Sequence, residues 1–313
     1  MRCAANARRR GFVSTGIVCA VGLWMIASSR ASGAPPEKVR DDVRLVLNVP
    51  YRDGANACLL DLALPKGLPA RPRPAVVVIH GGGWIEGDKS SFDVTSTPGN
   101  IVDFAAAGFV AAAVNYRLSR EAEYPAGLHD CQAAIRWLRR HADEYHLDRA
   151  RIGAYGNSAG GHLALLLGLL EATSGPREKS PPFANESSRV QAVVSDSGPL
   201  DLTVEIKNGT LRGVIEQFMG GPPEGSLLAT YRQASPLFQA GQSVPPLLLI
   251  YGEADSQVDV RTADRFVDEL SRAGHKDITY FRLANVSHCP HSLVGVPYLR
   301  PAVIDFFKRT LSK

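Results

Sequence analysis

The stretch Ile152-Gly153-Ala154-Tyr155-Gly156-Asn157-Ser158-Ala159-Gly160-Gly161-His162 decides the fold. Its first four residues are a short apolar run, the mark of a strand covered on both faces. From Ser158 to Leu170 the chain is almost wholly apolar (Leu163, Leu165, Leu166, Leu167, Leu169, Leu170), which predicts a buried helix. Between them, Gly156-Asn157-Ser158-Ala159-Gly160 must turn strand into helix within very few residues. So sharp a turn forces strained dihedrals on Ser158, and only small residues two before and two after it avoid collision. The turn holds the Ser158 hydroxyl outward at the head of the helix, where unpaired N–H groups and the helix dipole favour negative charge. Ser158 is the candidate nucleophile, with Gly156 and Gly160 as its support. Without its flanks the pentapeptide would be uninformative, because an ordinary Gly-rich strand-to-helix turn reads the same way.

Working outward, Ala75–Ile79, Val110–Val114, Val190–Val194 and Leu247–Tyr251 repeat the short apolar strand character, and Thr279–Leu283 reads as the last strand. Helical periods fall between them. Asp130–His141 places Ala134, Ile135, Trp137 and Leu138 on one stripe, with Arg136, Arg139 and Arg140 largely outside it; Val260–Ala273 and Ala302–Leu311 are amphipathic. Strands alternating with helices imply a mostly parallel sheet of about eight strands flanked by helices, an α/β fold. Ahead of it, Val43–Val49 and Cys58–Ala63 around Asp53-Gly54 read as a β-hairpin, and Pro65 to Pro74 as a surface loop. Two stretches break the rhythm. Thr173–Ser188 reads as a loop. Residues 198–244 have no strong period and contain Gly220-Gly221-Pro222-Pro223, so we read them as a small lid insert over the site. A surface excursion without substrate contact is the alternative.

His80-Gly81-Gly82-Gly83-Trp84 directly follows the apolar run Ala75–Ile79. Three glycines let the backbone approach a ligand closely and aim N–H groups at it, as acyl transfer requires where a carbonyl oxygen becomes an oxyanion. A phosphate loop would need a Gly-Lys-Ser/Thr ending, which is missing, and no dinucleotide pattern is present. No cofactor is implied. The eight histidines lack His-Glu-x-x-His spacing and there is no Cys-x-x-Cys, so no metal is expected either.

The pair HGGGW (His80–Trp84) and GNSAGGH (Gly156–His162) resembles the esterase/lipase branch of the α/β-hydrolase superfamily. The likeness is to hormone-sensitive-lipase-like esterases, and more to the bacterial feruloyl/acetyl-esterase-like (BD-FAE-like) group. Gly87-Asp88-Lys89, Asn115-Tyr116-Arg117-Leu118, Asp130 with Ala134–Leu138, and Asp148-Arg149-Ala150-Arg151-Ile152 match the connecting segments of that group. The resemblance implies oxyanion donors at the N–H groups of Gly82, Gly83 and Ala159. It also implies that His80, with Gly81 and Trp84, braces the loop rather than acting as base, and that His162 packs beneath the turn.

A serine attacks only if an imidazole takes its proton, and the imidazole needs a carboxylate to fix its tautomer. In this fold the chain order is Ser, Asp/Glu, His. After Leu247–Tyr251 the carboxylates are Glu253, Asp255 and Asp259; the family pattern Gly-x-x-Asp-x-x-Val selects Asp255, and Asp259 reads as a helix cap. Asp196 and Asp201, after the preceding strand, stay open. After Thr279–Leu283, family spacing favours His288 over His291. Cys289-Pro290 departs from the usual small residue beside the histidine, and Cys289 itself could be read as a nucleophile, though Ser158 makes that unnecessary.

The first thirty-odd residues carry five arginines and no acid, then the apolar run Gly16 to Ala27, then Ala31-Ser32-Gly33 before Ala34. This is the pattern of a signal peptide over residues 1–33, and Arg9-Arg10-Gly11-Phe12-Val13 also fits a twin-arginine signal. The alternative, a retained anchor, would need roughly twenty apolar residues to span a bilayer. Losing five arginines takes the net charge of +4 to −1, so nothing suggests a nucleic-acid partner. We expect an exported protein, periplasmic or secreted, with residues 34–313 as one domain, polar at its start. Cys58, Cys131 and Cys289 are too few for a disulfide framework.

The resemblance implies a serine carboxylesterase on short-chain acyl esters, acetyl or feruloyl groups of plant polysaccharides among them. An arylformamidase, a peptidase of the prolyl-oligopeptidase kind and a non-catalytic binding relative are the alternatives.

Overall fold

The structure, a computed structural model, describes residues 42–53, 58–67, 70–92, 100–170, 178–207, 209–241, 243–290 and 298–312. The expected signal peptide, most of the polar segment after it, Gly54 of the hairpin turn, the start of the 173–188 loop and His291 lie outside the described residues.

Eight strands form one sheet in the order β1-β2-β4-β3-β5-β6-β7-β8. The hairpin β1 (Val43–Pro50) and β2 (Leu59–Pro65) is antiparallel, and β2 joins β4 (Val110–Val114) antiparallel. From β4 onward through β3 (Arg73–Ile79), β5 (Leu147–Asn157), β6 (Ala192–Asp196), β7 (Leu247–Gly252) and β8 (Ile278–Leu283) every pairing is parallel. The expected α/β sheet is therefore present.

Alternation of side chains along a strand explains why its central runs are uninterruptedly apolar. Val76 and Val78 of β3 face one core, shared with α1 (Ile101–Ala106) and α8 (Leu299–Leu311). Ala75, Val77 and Ile79 face the other, shared with α2 (Ala126–Arg140), α3 (Ala159–Leu169) and α7 (Val260–Arg272). Every residue of α3 is buried, as its composition demands.

Some boundaries differ from expectation. β6 runs two residues later than the apolar run suggests, because Ser195 and Asp196 continue in register beside Gly156 and Asn157. Arg139 of α2 does not lie outside the buried stripe but is buried itself. Its guanidinium donates to the carbonyls of Arg149 (2.9 Å) at the start of β5 and of Ser187 (2.5 Å) and Arg189 (2.6 Å) in the loop before β6.

Among the described residues the 198–244 insert holds three short α-helices, α4 (Leu202–Glu205), α5 (Arg212–Met219) and α6 (Leu227–Gln233), and a 3-10 helix, Pro236–Gln239. Among the described residues no helix is long and apolar enough to cross a membrane.

Candidate active site

The turn between β5 and α3 takes the conformation its sequence requires. Ser158 sits at φ 51° and ψ −123°, a region that non-glycine residues rarely occupy. Gly160 is obligatory for a separate reason: a Cβ there would strike the carbonyl of Ile79 at the end of β3. The Ser158 N–H donates to the carbonyl of Asp196 (2.8 Å), tying the turn to the neighbouring strand.

His288 lies beyond β8 and Asp255 beyond β7, and their side chains meet Ser158. The Ser158 hydroxyl is 2.9 Å from His288 Nε2, and His288 Nδ1 is 2.7 Å from Asp255 Oδ2. With Nδ1–H donated to the carboxylate, Nε2 is left as an acceptor for the serine proton. Asp255 Oδ1 accepts the N–H groups of Gln257 (2.8 Å) and Val258 (3.0 Å). Burial alone would raise the Asp255 carboxyl, but the His288 hydrogen bond and charge, with those two amides, hold it below its ordinary value.

The other carboxylates are engaged differently. Glu253 pairs with Arg282, Asp201 accepts the N–H of Thr203 at the start of α4, and Asp259 caps α7 through the N–H of Arg261, as expected. Asp196 touches the site through its main chain. The Cys289 thiol is buried, and its pKa is raised well above the ordinary value by burial and by the charges of Asp196 and Asp255, so it stays protonated and is a poor nucleophile.

The glycine loop after β3 lies against Ser158. Gly82 adopts φ 105°, where a side chain would also collide with the carbonyl of Glu86. Its own carbonyl receives the N–H groups of Ile85 and Glu86, both at 3.1 Å, which folds the loop back on itself. Among the described residues the N–H groups of Gly82 and Gly83 meet no acceptor, and Ala159 opens α3, where first-turn amides have none. His80 is buried and stacks on Tyr116 with ring centroids 4.4 Å apart, while the Tyr116 hydroxyl donates to the His80 carbonyl (3.0 Å). Burial lowers the His80 pKa, which suits a neutral brace.

The insert reaches this loop. Phe218 of α5 stacks on Trp84 at 4.4 Å, and Val214 side-chain carbons lie 3.6 Å from where a Cβ on Gly83 would be. His162 is fully buried below, donating Nε2–H to the Ala234 carbonyl (2.7 Å), and burial lowers its pKa to about 4, so it is neutral.

Two supporting residues escaped the sequence reading. Asn157 Oδ1 accepts the Gly81 N–H (3.0 Å) and Nδ2 faces the Cys289 sulfur (4.0 Å), so this side chain links the glycine loop to the histidine loop. Ser197 Oγ accepts the Cys289 N–H (3.1 Å). Asn157 occupies the variable position of the motif and Ser197 no motif at all, so neither carried a sequence signal.

Sheet order, strained serine turn and glycine loop together define an α/β-hydrolase. The BD-FAE family model matches residues 60–270, and the chain belongs to that family. It is 29% identical over 241 residues to esterase LipC of Mycobacterium tuberculosis, covering 74% of this chain and 57% of LipC. The chain spans about half the length of the first curated mycobacterial relatives it matches. Among solved structures, a truncated carbohydrate esterase from gut microbiota superposes with a TM-score of 0.73 at 26% identity, covering 86% of this chain and 97% of that one. Propionate-bound Est2, a thermophilic esterase of Thermogutta terrifontis, gives 0.67 at 25% identity, covering 88% and 96%.

Proposed function

We propose that the protein is a serine carboxylesterase that hydrolyses short-chain acyl esters through an acyl-enzyme. The observation that carries this reading is the continuous hydrogen-bonded path from Ser158 through His288 to Asp255, beside the uncommitted amides of Gly82 and Gly83. His288 Nε2 takes the Ser158 proton as Oγ attacks the ester carbonyl. The oxyanion is received by the N–H groups of Gly82, Gly83 and Ala159, each such donor being worth roughly 3–4 kcal/mol in the transition state. Imidazolium then gives the proton to the leaving alcohol, and water repeats the sequence to release the acid. Asp255 stays ionised throughout and stabilises the imidazolium.

Support for the substrate class comes from the comparisons rather than from the triad. A carbohydrate esterase and a propionate-bound esterase among the structural relatives favour small acyl groups, with acetyl or feruloyl esters of polysaccharides as the narrower reading. Residues 1–33 support export to the periplasm or medium.

Ser158→Ala tests the mechanism: turnover of p-nitrophenyl acetate should vanish while the fold persists, and full activity would overturn it. A panel of acetyl, butyryl, octanoyl and feruloyl esters with acetylated xylan tests the substrate, and preference for eight or more carbons would contradict the proposal.

A further inference from the structure

Glu205, the last residue of α4, lies in the insert and is almost completely buried, and among the described residues no cation pairs with it. Its Oε2 accepts the N–H of Asp259 (3.3 Å) and its Oε1 accepts the Thr262 hydroxyl (2.9 Å). Both partners open α7, immediately after the Asp255 turn. Three successive amides are thus held by carboxylates, those of Gln257 and Val258 by Asp255 and that of Asp259 by Glu205. Packing alone does not call for a carboxylate here, since an unpaired buried charge is costly and an apolar residue of similar volume fills the space more cheaply.

We propose that Glu205 is a positioning residue for Asp255: by fixing the third amide of the 257–259 turn, it keeps the Asp255 carboxylate aimed at His288 Nδ1–H. The proposal rests on the Ser158–His288–Asp255 reading above. Several groups surround Glu205. Asp201 precedes α4 and carries Arg265 of α7 at 3.5 Å; Asp259 is held by Arg261; Thr262 lies against it, and the Glu205 charge is felt by the Tyr251 phenol. Burial, reinforced by the charges of Asp259 and Asp201 and opposed by the hydrogen bonds of Thr262 and Asp259, pushes the Glu205 pKa up to about 7.

The clamp needs an acceptor, not a charge. A glutamine in its place keeps its carbonyl on the Asp259 N–H. Its amide donates to Thr262 Oγ1, whose one proton then turns to the Asp259 carbonyl (2.7 Å). A leucine fills the volume and accepts nothing.

The test is steady-state hydrolysis of p-nitrophenyl acetate from pH 5 to 9, each variant normalised to active sites titrated with a fluorophosphonate. Glu205→Leu should lower kcat by about tenfold or more, with KM within about twofold, because small displacements of a triad member are costly in rate. Its acid limb should move to lower pH as a loosened Asp255 stabilises the imidazolium less. Glu205→Gln should restore kcat to within about threefold of the wild type. Thr262→Val is nearly isosteric and releases one carboxylate oxygen. It carries the test should Glu205→Leu fail to fold, with a fall of about threefold in kcat at unchanged KM. Wild-type kcat per titrated site and an unmoved pH profile in Glu205→Leu, or in Thr262→Val where it must stand in, overturns the proposal. So does a Glu205→Gln variant as impaired as Glu205→Leu. Ser158→Ala run alongside separates the two levels, since turnover there would remove the triad reading itself.

Discussion

The Nδ1–H of His288 ends on Asp255 Oδ2, 2.7 Å away, and this one bond decides which ring nitrogen faces Ser158. An amide in place of the carboxylate can present its NH2 group to Nδ1 and stabilise the wrong tautomer, with Nε2 carrying the proton. On the proposed mechanism Asp255→Asn should therefore lower kcat by about 10³–10⁴. Pre-steady-state acylation with p-nitrophenyl acetate would read it. Acylation at the wild-type rate would show that the carboxylate is dispensable.

Asp255 and Glu205 bear on stability with opposite sign. The Asp255 pKa is depressed in the folded state, so its contribution is present above its unfolded value near 3.8 and is lost as pH falls through the lower folded value. Glu205 has its pKa raised from 4.5 to about 7, so its contribution is full below 4.5 and is lost as pH rises through about 7. Replacing Glu205 by Gln should thus help more at pH 7.5 than at pH 5, by on the order of 3 kcal/mol at most. Urea denaturation of both proteins at the two pH values measures this. An equal effect at both would mean that the carboxyl is not perturbed.

Gly160→Ala should be among the most damaging small changes in the chain. The added methyl meets the Ile79 carbonyl of a central strand, with no flexible side chain to give way. We expect a loss of about 3 kcal/mol or more, or insoluble protein. A melting temperature within a degree of the wild type would contradict the close approach of β3 and the serine turn.

Lys89 places its ammonium 2.7 Å from Asp61 and 2.9 Å from Asn48 Oδ1, with both charged groups buried. Lys89→Met strands the Asp61 charge and should cost about 3–5 kcal/mol, and adding Asp61→Asn should recover much of that. Chemical denaturation of the single and double variants decides it. Additive losses would mean that the pair is not coupled.

Much of this architecture is legible in the chain because burial on both faces leaves an unmistakable trace. Val76 and Val78 serve one core and Val77 and Ile79 the other, so β3 reads as an unbroken apolar run. The serine turn is legible because steric crowding restricts what its neighbours can be. Legibility fails where polar residues do structural work. Ser195 and Asp196 extend β6 but are invisible to hydropathy, and Arg139 is buried because its fork meets three carbonyls from distant positions. The helices of the insert are too short to show a period: α5 commits Ile215, Phe218 and Met219 to the core within eight residues. Glu205 has no local signature, since its partners lie 54 and 57 residues away.

The sheet order has a consequence for biosynthesis. Glycine loop and serine belong to β3 and β5, adjacent strands in the interior of the sheet, whereas Asp255 and His288 follow β7 and β8 at one edge. His288 leaves the ribosome 130 residues after Ser158. A nascent chain can therefore shape the serine turn before the proposed base and acid, carried beyond β7 and β8, have been made. On the proposed mechanism, the catalytic centre is complete only once the last two strands of the sheet are in place.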